Sequence, residues 1–353
     1  MRFSASLSVL AYVASLCIVG CGDYSNFQLE QDLEFLSAVP DKEVMELRVA
    51  DSNPRVLGDS EQGLEIKLDP LLGQLAEFYV SSLKVTEGIN NGVLGFLDVV
   101  DHIVHFFPPV LREKDRRVWG PWPSDDTPGV DVRFSMLKNA PGEFGIFFQL
   151  RDSKDADLVG FDEGWIDCVY GQVKPHGLVK RGTGTLVIDL QACSKIDEYA
   201  GQGKATVLFD TTPDEENQDG KTELRIDFQK FLGRDGLQNG DDPLTADYYY
   251  LERSDKSGEF DFRTWNDINS ETNPQLDALE QWDWVVRWEN DGCGRADLRI
   301  SGGDLGNLEA MASECWDTKH KRVYFSNPFA QAPDPTEEGA EADCCLGAAS
   351  FND

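Results

Sequence analysis

His102 and His105 stand three positions apart in Asp101-His102-Ile103-Val104-His105. On a helix that spacing turns both imidazoles to one face, where the pair is able to ligate a divalent metal. No third ligand stands beside them in sequence, and a polar edge along an apolar stripe has the same pattern. Oxygen chemistry has two candidate sites, both for calcium. One is the cluster Asp152, Asp155 and Asp157; the other is the run Asp214, Glu215, Glu216, Asn217 and Asp219 before Gly220. The second places Glu, Asn and Asp at alternate positions ahead of the glycine, but Ile226 stands where a calcium loop needs its bidentate Glu. Solvated acidic turns need no metal, so calcium is the only cofactor these residues suggest. Trp119 and Trp122 flank Gly120-Pro121 and are candidate binding aromatics for carbohydrate or a partner peptide, if they escape packing over the end of a sheet.

Other catalytic patterns are missing from the sequence. It holds no Gly-x-Ser-x-Gly elbow, phosphate-cradling glycine loop or His-Glu-x-x-His. With 64 acidic residues, close carboxylate pairs arise by chance, and a hydrolase pair is defined by a separation in space. No catalytic residue is therefore assigned.

The eight cysteines divide by position. Cys17 and Cys21 lie near the start, and Cys168, Cys193, Cys293, Cys315, Cys344 and Cys345 lie in the body and tail. The latter six are candidate disulfide cysteines, since an even number in an exported chain reads as bridges and the spacings fit no zinc site. Proximity favours Cys168 with Cys193; Cys293 and Cys315 pair with each other or with the two tail cysteines.

Export itself is read from the first 21 residues. Arg2 is followed by an uncharged apolar run, Leu7 to Val19, and then Gly20-Cys21. The run is too short to span a bilayer as a helix of about 20 residues. Ile18-Val19-Gly20-Cys21 resembles the lipobox of bacterial lipoproteins. That resemblance implies cleavage after Gly20, a lipidated Cys21, and residence in the cell envelope, held to the membrane through the lipid. Gly22 is not the aspartate that resembles an inner-membrane retention signal, so the outer membrane is the expected address. The charge agrees with a role away from nucleic acid: 64 acidic against 32 basic residues give −32, and such a surface repels phosphates.

The hydrophobic pattern changes once along the chain. Residues 29–110 read as mainly helical. Leu29 to Ala38 is one short helix ending before Pro40, and Glu43 to Val49 alternates as a strand. Ile89, Val93, Phe96, Leu97, Val100, Ile103, Val104 and Phe107 form a helical stripe, broken near Asn90-Asn91-Gly92 and stopped by Pro108-Pro109. From Val130 to about 326 the period is two: Val130, Val132, Phe134 and Met136 alternate with polar residues, as do Phe144 to Leu150, Leu186 to Leu190, Ala205 to Phe209, Leu224 to Phe228, Trp284 to Trp288 and Ala296 to Ile300. Turn signals such as Asn290-Asp291-Gly292 favour antiparallel hairpins. The expected fold is α+β and mostly β. About ten antiparallel strands form a curved, open-barrel-like meander on the N-terminal helices, with residues 21–28 as tether, 29–330 as one domain and 331–353 as an acidic tail. At the level of architecture alone it resembles the open-barrel folds of lipoprotein carriers.

Glu314-Cys315-Trp316-Asp317, followed by Arg322-Val323-Tyr324-Phe325, is similar to a C-terminal signature of uncharacterised bacterial envelope lipoproteins. Ala38-Val39-Pro40 and Trp119-Gly120-Pro121-Trp122 are similar to segments of the same group. The resemblance implies a shared fold and location, and no activity. Three classes of function follow. The leading one is a non-enzymatic structural or protein-interaction module whose partner is an unidentified envelope protein or ligand. The second is a carrier of an apolar ligand between helix and sheet. The third is an envelope hydrolase with acidic catalytic residues. The anchor is tested directly: Cys21→Ser should move the protein from the membrane pellet to the soluble fraction, and retention of the variant in membranes at high salt contradicts lipidation.

Overall fold

The computed structural model describes residues 26–49, 72–125, 127–155, 160–177, 180–213, 220–267, 277–327 and 336–351. Cys21 and the apolar run before it lie outside these, as do Asp157 and all five acidic-run residues from Asp214 to Asp219.

The sheet is larger than the expected ten strands. Fifteen strands run in strict sequence order, each antiparallel to the next, and the sheet is open at both edges. They are β1 (Leu111–Glu113), β2 (Arg116–Pro123), β3 (Val130–Ala140), β4 (Glu143–Asp152), β5 (Ile166–Pro175), β6 (Gly182–Asp189), β7 (Gly201–Asp210), β8 (Thr222–Gly233), β9 (Leu244–Glu252), β10 (Gly258–Asn266), β11 (Glu280–Trp288), β12 (Gly294–Ser301), β13 (Glu309–Trp316), β14 (Arg322–Ser326) and β15 (Glu337–Gly339). Where the chain alternates cleanly, as in β3, β7 and β8, the apolar positions face inward, as period-two patterning requires. Two of the strands beyond those named from the sequence have an interrupted pattern, whereas β9 and β10 alternate cleanly in burial. β2 contains Gly120-Pro121, and its pairing to β3 shifts register between Trp119 and Trp122. β5 carries a bulge at Cys168, which breaks the alternation. β15 lies within the expected tail and pairs through Glu337–Gly339 with Tyr324–Ser326.

Among the described residues four helices precede the sheet: α1 (Asn26–Ser37), α2 (Lys42–Met45), α3 (Glu77–Gly92) and α4 (Gly95–Phe106). The α3–α4 break follows Gly92, and α4 stops before Pro108-Pro109, as the sequence predicts. Residues 43–49 form no strand. Met45, Leu47 and Val49 do point inward in alternation, but among the described residues they pair with no strand backbone. Instead the Leu47 N–H donates to the Asn90 side chain at 2.8 Å, and the Arg48 N–H donates to Tyr250 Oη at 2.8 Å.

Helices and sheet share one continuous apolar core. Phe35 of α1, Phe78, Tyr79 and Leu83 of α3, and Phe96, Leu97, Val100 and Ile103 of α4 pack with inward residues from β2 to β13. Phe96 meets Phe148 edge-on, and Phe78 meets Trp284. The position of α3 is set by a tertiary cap. Ala76, at its N-cap, offers no side-chain acceptor. The Glu314 carboxylate, inward-facing on β13, accepts from the N–H groups of Glu77 at 3.1 Å and Phe78 at 2.5 Å, and from Arg322 Nε. Glu314 and Arg322 are both almost completely buried. Residues 73–76 add backbone bonds to His320 and Arg322.

All six candidate disulfide cysteines are bridged: Cys168–Cys193, Cys293–Cys345 and Cys315–Cys344. The tail cysteines therefore join the sheet. If the α4 stripe is core, Phe96→Ala should cost about 3–5 kcal/mol, and Val100→Asp more, since it buries an unpaired charge. Urea denaturation checks both, and losses below about 1 kcal/mol would contradict the packing.

Candidate functional site

A groove of about 400 Å³ lies at one rim of the sheet. It runs between α1, the C-terminal end of α4 and strands β1–β2. Phe35 and Trp119 form its buried floor, and Val104, Phe106, Phe107, Pro108 and Pro109 form one wall. Phe106 is 72% exposed, because it falls between the positions of the α4 stripe that packs on the sheet. Val110, in the turn leading to β1, and Leu33 of α1 are also exposed. The opposite wall is ionic: Asp32 accepts from Arg117 Nε at 2.6 Å and from Arg112 Nε at 3.3 Å, and the Arg117 guanidinium lies 4.6 Å from the Phe35 ring. The site is thus an aromatic and proline cleft closed on one side by a fixed charge network. A volume of this order falls in the range of small-ligand sites, roughly 300–1,000 Å³. The same cleft also has room for one or two apolar side chains of a partner.

Two sets of sequence candidates converge here. His105 lines the groove, with Nδ1 2.9 Å from the Asp101 carbonyl and 3.2 Å from its carboxylate. His102 lies exposed against Phe106, 4.6 Å between ring centres. Among the described residues no group of three His, Cys, Asp or Glu side chains is placed to hold a metal. Trp119 is buried and donates from Nε1 to the Phe107 carbonyl at 3.0 Å, while Trp122 is half-buried against the Phe107 ring. The pair lies in strand β2, and Trp119 packs as the groove floor. Asp152 caps a turn by accepting from the Lys154 N–H, and Asp155 ends that turn, both away from the groove.

Two carboxylates bind their protons more tightly than usual. On the outer face of β10, Asp261 is pushed up to about 6, first by desolvation on the crowded sheet and then by Glu259, although its side chain still reaches solvent. Burial raises Glu314 too, against the pull of Arg322 and the α3 N–H groups. These acids lie on opposite faces of the sheet, one on β10 and one on β13, so they do not form a pair.

The signature around Glu314 is structural. Glu314 caps α3 and accepts from Arg322, Cys315 is bridged, Trp316 is buried and donates to the Gly292 carbonyl, and Asp317 accepts from the Lys319 and Lys321 N–H groups to shape the hairpin. Comparisons with known protein families, with curated proteins and with solved structures find no match to this chain. Sequence reasoning missed Asp32, Phe106, Pro109 and Arg112 as one site. The readable signal was Phe106, a large aromatic off the apolar stripe and directly before the helix stop.

Proposed function

We propose that this protein is a lipid-anchored envelope protein that acts as a binding module, seating an apolar side chain or short segment of an envelope partner in the rim groove. The observation that carries this reading is the exposed Phe106 beside a cleft floored by Phe35 and Trp119. Buried core aromatics flanked by an exposed one are the composition of interaction hot spots. The position of α1 supports the assignment. It begins five positions after Cys21, a span of at most about 18 Å at roughly 3.6 Å per residue. A lipidated Cys21 therefore holds α1 near the membrane surface, where envelope partners lie.

A carrier role is the second reading, favoured by the groove volume alone, with the ligand at the rim and not between helix and sheet. A photo-crosslinking amino acid at position 110 of the full-length protein, irradiated in the native envelope, separates the two. The module reading expects adducts shifted by the mass of a discrete protein and lost with Phe106→Ser. Adducts of lipid mass support the carrier, and absence of any adduct overturns both.

A further inference from the structure

Side chains on the outer face of an antiparallel sheet ordinarily stand in water. On β11 and β12 four do not: Asp283, Arg295, Asp297 and Arg299 are buried. Arg263 of β10, Asp283 of β11 and Arg299 of β12 form one cross-strand row, with Asp283 accepting from Arg263 at 2.6 Å and from Arg299 at 2.9 Å. Beside them Asp297 accepts from Arg295 at 2.9 Å and from Ser313 Oγ at 2.7 Å. Arg295 and Asp297 are 2% and 1% exposed. Their cover includes the end of the chain. The Glu341 carboxylate lies 2.8 Å from Arg295, the Gly347 carbonyl accepts from Arg287, the Ala349 N–H donates to Asp297 at 2.9 Å, and the Phe351 ring lies 5.0 Å from the Arg299 guanidinium. A carboxylate, one carbonyl, one N–H and an aromatic ring, each met by a fixed group on the sheet, are the contacts by which a surface recognises an extended peptide.

The segment itself contributes little to the core. None of residues 336–351 is fully buried, so its apolar burial holds it only weakly. Besides the pairing of β15 with β14 and the polar contacts above, two bridges from adjacent residues fasten it covalently, Cys344 to Cys315 and Cys345 to Cys293.

We propose that the outer face of β10–β13 is a binding surface for an extended acidic peptide that carries an aromatic residue, that residues 341–351 occupy it in cis, and that the two disulfides decide whether it is open. Opening needs a dithiol reductant. A thiolate of the reductant attacks Cys345 Sγ, the bond to Cys293 breaks, and Cys293 leaves as a thiolate that takes a proton. The second thiol of the reductant then displaces Cys345 as its own disulfide closes, so two electrons pass per bond. A second dithiol does the same at Cys344–Cys315. Once the strap leaves, Arg287, Arg295, Asp297 and Arg299 face solvent as a row able to take the same groups from another chain.

The test uses the full chain with Cys293, Cys315, Cys344 and Cys345 each changed to Ser, which keeps Cys168–Cys193, and with Glu341→Lys and Phe351→Ala to weaken the tethered competitor. The probe is a fluorescent synthetic peptide of residues 341–351 carrying Ser at 344 and 345. Anisotropy should show the peptide binding this variant and not the oxidised wild type, with Asp297→Ala weakening it by about tenfold or more, the size of one lost charged contact. A folded variant that does not bind the peptide, or equal binding by oxidised wild type, overturns the proposal. If the variant does not fold, hydrogen exchange on the wild type with dithiol decides. Exchange that rises in 336–351 while β6–β8 stay protected supports a detachable strap, and exchange that rises everywhere together contradicts it.

Discussion

A carboxylate and a guanidinium out of water hold α3 on the sheet. A helix start leaves its first N–H groups without intrahelical partners and carries partial positive charge. Here the start is inside the molecule, so water cannot satisfy it, and Ala76 cannot either. Glu314 supplies the acceptor from β13, and Arg322 on β14 balances its charge. Burying an ion pair is costly, and such pairs are poor stabilisers in general. This one has a positional role: it fixes which end of α3 meets which strands. With that end placed at β13–β14, α3 and α4 lie along the inner face, and α4 runs out at Trp119 and the groove. The groove is thus a consequence of where the helices are pinned.

The two faces of the sheet solve different problems. The inner face is filled by aromatic and branched side chains from helices and strands together. The outer face carries ionic rows that neighbouring segments cover in two places. Residues 161–165 lie over β3–β4, with the Trp165 ring 4.3 Å from both the Arg133 and Arg151 guanidiniums, and the disulfide-bound tail lies over β10–β13. Burial lowers Arg133 to about 10, against the pull of Asp162. An acidic chain that buries arginines against its own carboxylates keeps its excess negative charge for the surface, which favours solubility.

Much of this was legible in the sequence where local pattern and tertiary role coincide. The strands with clean alternation, the two helices parted after Gly92 and the stop at Pro108-Pro109 follow from period and backbone chemistry. The period of two in Met45, Leu47 and Val49 was also correct as a statement about burial, and misleading only about hydrogen bonding, since among the described residues its partners are side chains such as Asn90 and Tyr250 and not a strand backbone. β5 and β2 were hidden by a bulge at Cys168 and by Gly120-Pro121. The Glu314 cap lay beyond local reading, because its partners are 236 and 237 residues away. Arg295 and Asp297 read as solvated outward charges; their burial depends on a tail whose composition promised no structure, and on bridges whose partners spacing alone left open. For the groove, the sequence marked Trp119 and His105 separately, and only the fold sets them along one cleft with Phe106 and Asp32.

The dependence of the inner face on the buried cap is most directly measured by native-state hydrogen exchange at the amides of Glu77, Phe78 and the turn that follows, in wild type and in Glu314→Gln. Breaking a buried pair by removing one partner costs about 3–5 kcal/mol, or a factor of roughly 100 or more. The account predicts exchange in the first turns of α3 faster by about that factor, while amides of β6–β8 keep their protection. Unchanged exchange at Phe78 in a variant that folds would show that α3 is held by packing alone and that the cap is incidental.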